Sequence, residues 1–390
     1  MLNYKIGEFD MRACIIVENY PSPGQTFVNR HIEHLFGGHT SVVATHKCEN
    51  TTGERPILGL QQFRQRRSVA SKLYDLKHYA QYGSKTIPYG AEKAALLKFW
   101  KDHGTEFVLA EFGPQGVSIA PIAAEAGLPM FCYFRGSDAS SRIRHAHVQR
   151  AYRKMTPQLD GVFAVSQFLL DNLASVGVRH ENSHVIPSGV DVRRFYPAEK
   201  TRGSVVFIGR FVEKKHPLLT IRAFAKATQN IPHAHLTMIG DGALLPAAQD
   251  FVSQLGIPKK VQFLGALPHA QVRSYLQKSE IYLQHSVTAA NGNTEGLPTA
   301  IQEAMASGCV TVSTRHAGIP EAIEEGATGY LVDEYDEMEF AAALRKALTL
   351  PQGEITEMAK RARSVAEEKF DNGLLLEQLE KVITSAIAKH

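Results

Sequence analysis

Short apolar runs alternate with helix-period patterns along nearly the whole chain. Such runs are typical of parallel strands buried on both faces, and the alternation predicts doubly wound α/β sheets. We expect strands at residues 12–17, 41–44, 107–110, 130–134 and 161–165, and, in a second half, at 204–208, 234–238, 261–263, 281–284, 310–313 and 329–332. A chain of 390 residues is long enough for two such domains.

The composition argues against membrane-spanning and disulfide-rich classes. No run of 18 apolar residues occurs, and the opening MLNYKIGEFD lacks the apolar core of a signal peptide. The four cysteines form no CxxC pair, and Cys14, Cys132 and Cys309 lie in apolar strand-like runs, which predicts reduced core residues. We therefore expect a cytoplasmic protein in which residues 1–10 are a loose extension or the product of an upstream start.

Residues 54–103 are strongly basic, with ten Lys or Arg against four Asp or Glu. The segment contains Arg64, Arg66, Arg67, Lys72, Lys77, Lys85, Lys93, Lys98 and Lys101, interleaved with Phe63, Tyr74, Tyr79, Tyr82, Phe99 and Trp100. This mixture suits an anionic membrane surface or a lipid-diphosphate ligand. A solvated basic helical face is the alternative. No nucleic-acid motif accompanies the charge, so no nucleic-acid partner is predicted.

Residues 291–308, NGNTEGLPTAIQEAMASG, combine a polar loop with a short helix. Pro298 suits the first helical position and Gly308 the end of the helix. The free N–H groups at the helix start, Gly296 to Thr299, form an anion site. Glu295 and Glu303, eight positions apart, flank it. Because a carboxylate accepts two hydrogen bonds from a diol, the stretch predicts a ligand with both an anion and hydroxyls, such as a sugar nucleotide.

Two further loops follow predicted strands directly. In GRFVEKKHP, Gly209 provides the turn, Arg210 can bind two phosphate oxygens and Lys215 adds a point charge. Two surface cations before a helix are the alternative. The loop NYPSPGQT contains Gly24, which would allow a ligand close to the backbone at the carboxyl edge of the first sheet, although a plain βα turn explains it too.

EGLPTAIQEAMASG, followed by VTVSTRHAGIPEAIEEGATGYLV, resembles the signature of family 4 of the retaining glycosyltransferases, which have the GT-B fold. SVTAANGNTEGLPTAIQEAMASG is similar to bacterial exopolysaccharide, colanic-acid-type and O-antigen glycosyltransferases. The resemblance implies two Rossmann-like domains facing a cleft, with the last helix crossing back to the first domain. We expect an acceptor-binding domain at 1–190, joined by helix 371–390, and a nucleotide-sugar-binding domain at 198–368.

The resemblance also implies roles for site residues. Arg210 and Lys215 would neutralise the donor diphosphate, together with the backbone of Gly209, Gly296, Leu297, Pro298 and Thr299. Glu303 would bind the ribose diol, and Glu295 a hydroxyl of the donor sugar. The backbone from Gly265 to Leu267 would contact the base, and the loop of Gly24 would line the cleft between donor and acceptor.

The segment RGSDASSR departs from the family pattern. The family often has His-Gly-x-Asp here, with the histidine approaching the donor sugar. Gly136 and Asp138 match, but Arg135 replaces the histidine. An arginine could instead bind a donor phosphate or an acidic or phosphorylated acceptor, so Arg135 and Asp138 join the candidate catalytic residues. A surface ion pair between Arg135 and Asp138 is the alternative.

The implied reaction moves a hexose from a UDP- or GDP-hexose to a hydroxyl of a glycan or polyprenyl-diphosphate-linked acceptor, with retained anomeric configuration. It implies that the leaving phosphate takes the acceptor proton. The sequence has no Asp-x-Asp and no His/Cys ligand cluster, so we expect neither a metal nor another cofactor. Peripheral contact with the inner face of the cell membrane would fit such an acceptor.

Three other classes of protein remain open. A non-catalytic sugar-nucleotide- or glycan-binding protein of the same fold would explain Arg135. A nicotinamide-dependent oxidoreductase would use Gly240-x-Gly242, although the third glycine of the dinucleotide fingerprint is missing. A phosphorylase of the same fold would need a cofactor lysine, which no part of the pattern identifies.

Overall fold

The computed structural model describes residues 11–22, 24–49, 55–64 and 69–389. The chain divides into two compact units, Met1–Ile186 with Leu376–His390, and Pro187–Leu375. The expectation for residues 1–10, and those for Arg66 and Arg67 in the basic segment, fall outside the described residues. In the described ranges no helix has the length and apolarity needed to cross a bilayer.

In the described part of the first unit, seven parallel strands form one sheet. The strands are β1 (Ala13–Val17), β2 (Thr40–Ala44), β3 (Ile57–Gly59), β4 (Phe107–Glu111), β5 (Met130–Phe134), β6 (Gly161–Ala164) and β7 (Ser183–Val185), in the order β3-β2-β1-β4-β5-β6-β7. The helices are α1 (Thr26–His34), α2 (Val69–Tyr82), α3 (Ala91–Asp102), α4 (Gly113–Ala126), α5 (Ala146–Met155) and α6 (Gln167–Ser175). The strand order reverses between β1 and β4, where ligands bind in doubly wound sheets.

The second unit, whose residues are all described, repeats this plan with six parallel strands. They are β8 (Thr201–Ile208), β9 (His235–Ile239), β10 (Val261–Gly265), β11 (Ser279–Leu283), β12 (Val310–Thr314) and β13 (Gly329–Val332), in the order β10-β9-β8-β11-β12-β13. Its helices are α7 (Pro217–Ala227), α8 (Leu245–Gln254), α9 (His269–Lys278), α10 (Thr299–Ala306), α11 (Glu337–Thr349) and α12 (Gln352–Lys369). Separate apolar clusters cover the two faces of the sheet.

The last helix, α13 (Asn372–Ile387), begins in the second unit, and its residues from Leu376 group with the first. The carboxylate of Asp371 accepts the N–H groups of Gly373 and Leu374 and so caps the start of this helix. Further along, Glu380 Oε1 accepts the N–H of Phe36 at 2.6 Å. The predicted return of the final helix to the first domain is thereby confirmed.

Most predicted elements are present with small shifts in their ends. All the predicted strands are found, and Cys14, Cys132 and Cys309 are free and buried, as expected. The short edge strands β3 and β7 were not predicted. The prediction that Pro298 is the first residue of its helix is wrong by one position. Pro298 precedes α10 in extended conformation, and the helix starts at Thr299.

Gly240 and Gly242 have a packing role that replaces the dinucleotide interpretation. A Cβ at Gly240 would lie 1.9 Å from the carbonyl oxygen of Gly209, and one at Gly242 would lie 2.6 Å from that of Phe211. Both glycines also have positive φ, at +136° and +150°. The loop after β9 therefore packs directly against the loop after β8, where Gly209 donates to Ile239 O at 3.0 Å. This contact fixes the backbone at Arg210 and at the lysines that follow.

Candidate functional site

A buried ion cluster lies at the carboxyl end of the second sheet. Lys214 and Lys215 belong to a 3-10 turn after β8, and Glu295 lies in the irregular loop between β11 and α10. Lys215 Nζ is 3.1 Å from Glu295 Oε1, and Lys214 Nζ is 3.2 Å from Oε2. The side chains of all three residues are about 10–12% exposed. One carboxylate thus bridges two ammonium groups in a nearly dry environment.

The electrostatics of the cluster keep Glu295 ionised and act in opposite directions on Lys215. Burial raises the pKa of Glu295, but the two lysine cations outweigh this effect and hold the pKa at about 2. Burial lowers the pKa of Lys215, and Glu295 opposes that shift. Because the carboxylate stays ionised, it stabilises the ammonium form of Lys215 despite the burial. The cluster therefore keeps an excess of positive charge.

A chain of hydrogen bonds holds Lys215 in place. Its Nζ donates to Gln284 Oε1 at 3.1 Å, and the same oxygen accepts the hydroxyl of Tyr282 at 2.6 Å. Gln284 Nε2 in turn donates to the hydroxyl of Ser286 at 2.7 Å. Burial raises the pKa of Tyr282, and the nearby Glu303 and Glu295 raise it further, so its hydroxyl stays protonated. The ammonium group is thereby fixed by neutral partners as well as by Glu295.

Arg210 differs from Lys215, although the sequence pairs them. The side chain of Arg210 is exposed, and among the described residues it makes no hydrogen bond or ion pair. Its charge nevertheless acts on Lys215, whose pKa it lowers. Arg210 is thus the cation of this group that can move toward a ligand, and Lys215 is the one already in position.

The second glutamate of the Glu-x7-Glu pair lies one turn into α10. Glu303 is mostly buried, and His269 at the start of α9 contacts its Oε1 through Nε2 at 2.9 Å. This hydrogen bond raises the pKa of His269, against the effect of partial burial. The ring of Phe195 lies 5.2 Å from the His269 ring. Glu303 therefore has a fixed orientation. When the pH is below the raised pKa of His269, Glu303 also has a cationic neighbour.

The remaining predicted donor residues surround these glutamates. Gly296 accepts the N–H of Gly318 at 2.9 Å, and Leu297 packs in the apolar cluster beneath α10. Gly265 ends β10 with φ +66° and accepts the N–H of Gly240 at 2.8 Å. Leu267 packs against the same apolar cluster as Leu297. The ends of β8, β10 and β11 and the start of α10 thus share one edge of the sheet.

Several residues of this site were not identified from the sequence. They are Lys214, Tyr282, Gln284, His316 and Glu334. Lys214 could have been found, because the pair Lys214-Lys215 follows a strand and a glycine turn. The other four residues join the site through contacts between segments of the folded chain, and no short sequence motif marks them.

Arg135 in the first unit is buried beside a carboxylate at the end of β4. Its Nε donates to Glu111 Oε2 at 2.7 Å and its second amino group to Oε1 at 3.2 Å. The guanidinium lies 4.3 Å from the ring centre of Phe27 and 3.9 Å from that of Tyr133. His31 Nδ1 contacts Glu111 Oε1 at 2.7 Å. The surface pair between Arg135 and Asp138 is therefore wrong, because the guanidinium pairs with Glu111 inside the domain.

Asp138 shapes the loop after β5 from inside. One of its oxygens accepts the N–H groups of Arg135 and Gly136, at 3.1 and 2.8 Å, and the other accepts that of Gly113 at 3.1 Å. A phosphate would have to displace Glu111 from Arg135, and Asp138 is already occupied by backbone donors. The geometry favours positioning roles for both residues over direct contact with a substrate.

A cavity of about 620 Å³ opens at the same edge of the first sheet. Gln25, next to Gly24, and Asp138 are among its lining residues. Its lining also contains the cations Arg64, Lys85 and Arg142 and the acidic residues Glu18, Asp75 and Glu92. Another cavity, of about 690 Å³, lies at the opposite, amino edge of these strands, away from the point where the strand order reverses. The cavity near Gly24 is the better candidate for a polar ligand.

The two Rossmann-like parallel sheets of this chain match the GT-B class of glycosyltransferases. Residues 191–369 match the family described as Glycosyl transferases group 1, and residues 37–194 match the one described as Glycosyltransferase Family 4. The chain therefore belongs to the glycosyltransferase family that contains these two domains, which confirms the resemblance found in the sequence.

The similar proteins include bacterial enzymes of polysaccharide assembly. The colanic acid biosynthesis glycosyltransferase WcaL of Escherichia coli is 30% identical over 308 residues, 76% of each chain. The amylovoran biosynthesis glycosyltransferase AmsK of Erwinia amylovora is 30% identical over 258 residues, 64% of this chain and 62% of AmsK. Among solved structures, Alr3699/HepE of Anabaena in complex with UDP superposes with a TM-score of 0.74 at 18% identity, covering 96% of this chain and 100% of HepE. That structural match confirms the fold.

Replacing Arg135 by Met should destabilise the first unit. The change leaves Glu111 buried without its guanidinium partner, which costs about 3–5 kcal/mol. The double variant Arg135→Met/Glu111→Gln should lose less, because no charge is left unpaired. Urea unfolding followed by the fluorescence of Trp100, the single tryptophan, which is buried in this unit, measures both changes.

The pH dependence of this effect has a definite sign. Glu111 is buried, which raises its pKa, but Arg135 and His31 outweigh this and lower the pKa to about 2. Its stabilisation is present above the unfolded pKa near 4.5 and is lost as the pH falls toward 2. The gap between wild type and Arg135→Met should therefore narrow in acid. Unchanged stability with weakened donor binding would instead assign Arg135 to the substrate.

Proposed function

We propose that this protein is a retaining glycosyltransferase of polysaccharide biosynthesis, which moves a hexose from a nucleotide-sugar donor to a hydroxyl of a glycan or lipid-linked oligosaccharide. The observation that carries the proposal is the Lys214–Glu295–Lys215 cluster, with Glu303 eight residues further on in α10. The names of two relatives, which refer to colanic acid and amylovoran biosynthesis, support the polysaccharide context. The UDP bound to HepE supports a nucleotide donor.

In the proposed reaction the bond between the sugar C1 and the nucleoside diphosphate breaks, and negative charge develops on the departing diphosphate. Lys215, Arg210 and the N–H groups at the start of α10 supply positive potential for that charge. The acceptor oxygen bonds to C1 on the face that the diphosphate leaves, and its proton passes to a diphosphate oxygen. Configuration is then retained without a nucleophilic side chain. Neither a metal nor another cofactor is needed for this charge balance.

In this proposal the two glutamates bind opposite ends of the donor. Glu303 accepts hydrogen bonds from the ribose diol; His269 contacts only Oε1, and Oε2 is left for a ligand hydroxyl. Glu295 accepts from a hydroxyl of the donor sugar while it keeps its two lysine partners, since an ionised carboxylate has lone pairs for several donors. Base contacts fall to the backbone between Gly265 and Leu267.

The acceptor belongs, in this proposal, to the first unit. Its cavity near Gly24 contains three cations, Arg64, Lys85 and Arg142, among four carboxylates, and Arg64 is paired with Glu92 at 3.1 Å. Lys85 and Arg142 are therefore the cations that this proposal assigns to the diphosphate of a lipid-linked acceptor. Helix α2 exposes Leu73, Tyr74 and Leu76, whose relative exposures are 64%, 49% and 63%. Exposed apolar side chains in a basic segment fit peripheral binding to an anionic leaflet, at the inner face of the cell membrane.

A non-catalytic binding protein of the same fold is the second candidate. Its support in the sequence was Arg135 in place of a histidine. Since Glu111 and two aromatic rings account for Arg135, that residue does not indicate a lost catalytic group. Donor turnover separates the two candidates.

The protein should release a nucleoside diphosphate from one member of a panel of UDP- and GDP-hexoses, and release should rise when a polyprenyl-diphosphate-linked acceptor is added. EDTA should leave the rate unchanged, because protein cations balance the leaving-group charge. A coupled assay for UDP and GDP measures both. Binding of a nucleotide without release from any donor would favour the binding-protein candidate, and loss of activity in EDTA would contradict metal independence.

Glu303→Ala and Lys215→Ala should affect different steps. Glu303→Ala should weaken nucleoside diphosphate binding by about tenfold or more, because a charged hydrogen bond is worth about 1.5–3 kcal/mol. Lys215→Ala should lower kcat more than donor affinity, because its partner charge develops on the leaving group. Calorimetry and initial rates measure these, with Lys278→Ala, exposed on α9, as the control. Wild-type nucleotide affinity in Glu303→Ala, or wild-type turnover in Lys215→Ala, would contradict the respective assignment.

The double change Leu73→Ser/Leu76→Ser should weaken binding to vesicles of phosphatidylethanolamine and phosphatidylglycerol by about a hundredfold or more, because full burial of each leucine is worth about 1.5–3 kcal/mol. Leu374→Ser is the matched control, since Leu374 is 52% exposed on α13 but lies outside the basic segment. Vesicle sedimentation measures the affinity. Equal loss in both variants, or no binding by the wild type, would remove the membrane proposal.

A further inference from the structure

His316 joins the loop that contains Glu295 to the end of the second sheet. It lies just after β12, is 1% exposed, and contacts two different segments through its two ring nitrogens. The backbone N–H of Glu295 donates to Nε2 at 3.0 Å. On the other side, Nδ1 is 2.5 Å from Oε1 of Glu334, just after β13. Both contacts span distant parts of the chain.

These partners determine the tautomer of the ring. A nitrogen that accepts an N–H must be unprotonated, so Nε2 is bare and the proton is on Nδ1, where it donates to Glu334. Glu334 is itself held, because its Oε2 accepts the N–H of Thr288 at 2.7 Å and its Oε1 the hydroxyl at 3.2 Å. The ring therefore has one orientation and one proton position.

The turn from His316 to Gly318, here named the loop clamp, makes a second contact with the same loop. Gly318 donates its N–H to the carbonyl oxygen of Gly296 at 2.9 Å. Between the two contacts, Ala317 has φ +51°, a left-handed conformation that disfavours a residue with a Cβ. Such strain persists where surrounding contacts demand it, and here the two hydrogen bonds of the clamp do so.

We propose that His316, oriented by Glu334, is a positioning residue that holds Glu295 between its two lysines for work at the donor sugar. The inference rests on the proposed function and adds a residue to it. The loop of Glu295 has no helix or strand of its own, so its backbone position depends on these hydrogen bonds. A shift of about 1 Å at a reacting group can cost a factor of about 100 in rate.

Protonation of His316 would break the clamp. The groups that act on its ring are Glu334, Glu295 and Lys214, and the neighbouring His285 interacts with it. Burial lowers the pKa of His316, and the two carboxylates oppose this only in part. At a pH below that pKa, Nε2 would carry a proton. It could then no longer accept the N–H of Glu295, because both groups would be donors. Turnover should therefore fall on the acid side of pH 6.5.

The test compares His316→Ala with His316→Gln on the donor that the wild type turns over. His316→Ala should lower kcat about 10- to 100-fold while nucleoside diphosphate affinity stays within about twofold, because Glu303 and not Glu295 holds the nucleotide. In His316→Gln the amide oxygen can take the place of Nε2 and accept the Glu295 N–H. Its kcat should return to within about threefold of wild type, since one neutral hydrogen bond contributes about 1 kcal/mol.

The pH profile distinguishes this role from a merely structural one. The wild type should lose kcat below pH 6.5, and His316→Gln should lack that limb, because an amide does not titrate there. Glu334→Ala, which frees the tautomer, should lower kcat without changing nucleotide affinity. If His316→Ala fails to fold, as a thermal melt would show, the wild type, His316→Gln and Glu334→Ala still decide.

Three results would overturn the proposal: wild-type kcat in His316→Ala, no recovery in His316→Gln, or the same acid limb in wild type and His316→Gln. Each of these leaves the glycosyltransferase proposal standing, because the wild type is active in all of them. A wild type that releases no nucleoside diphosphate from any donor would overturn both.

Discussion

A carboxylate buried between two ammonium groups carries a large desolvation penalty, which only its cationic partners offset. Glu295 is in this position, and the rest of the second-unit site depends on it. Without the carboxylate, burial would drive Lys215 toward its neutral form, and the positive potential beside α10 would shrink. Glu295 thus protects the charge of the lysines as well as accepting hydrogen bonds. Buried ion pairs contribute little to net stability, so a functional reason for this one is the better explanation.

The first unit contains a similar buried carboxylate, with a different outcome. Glu111 is bound at both oxygens by Arg135 and also contacted by His31, and aromatic rings cover the guanidinium. This group is saturated, because each charge already has its partner inside the domain. The cluster around Glu295 has more cations than anions and includes the exposed Arg210. An excess of charge with one movable member can bind a ligand, whereas a closed pair holds a loop in place.

How far the sequence predicts this protein depends on the range of each interaction. Central parallel strands are buried on both faces, so their apolar runs are visible locally, while β3 and β7 are three-residue edge strands with no such signal. Glu295, Glu303 and Lys215 are marked by short spacings beside strands and a helix. The side-chain hydrogen bonds of His316 with Glu295 and Glu334, and of Arg135 with Glu111, join residues 18 to 24 positions apart, so contacts of this kind follow only from the folded sheet. Gly240 and Gly242 show that a short motif can have another role, since an incomplete dinucleotide fingerprint serves here to pack two loops together.

The charge count of the site bears on the proposed chemistry. Lys214, Lys215 and Arg210 are three cations, and the carboxylates of Glu295 and Glu303 are two anions, which leaves the site a formal charge of +1. A departing diphosphate needs such a charge, and here it would be fixed before the reaction begins, with little reorganisation. The charge is useful only if the carboxylate stays between the lysines. The loop clamp at His316 supplies that constraint, so the electrostatics of leaving-group departure and the hydrogen bonds of a distant turn are parts of one proposed mechanism.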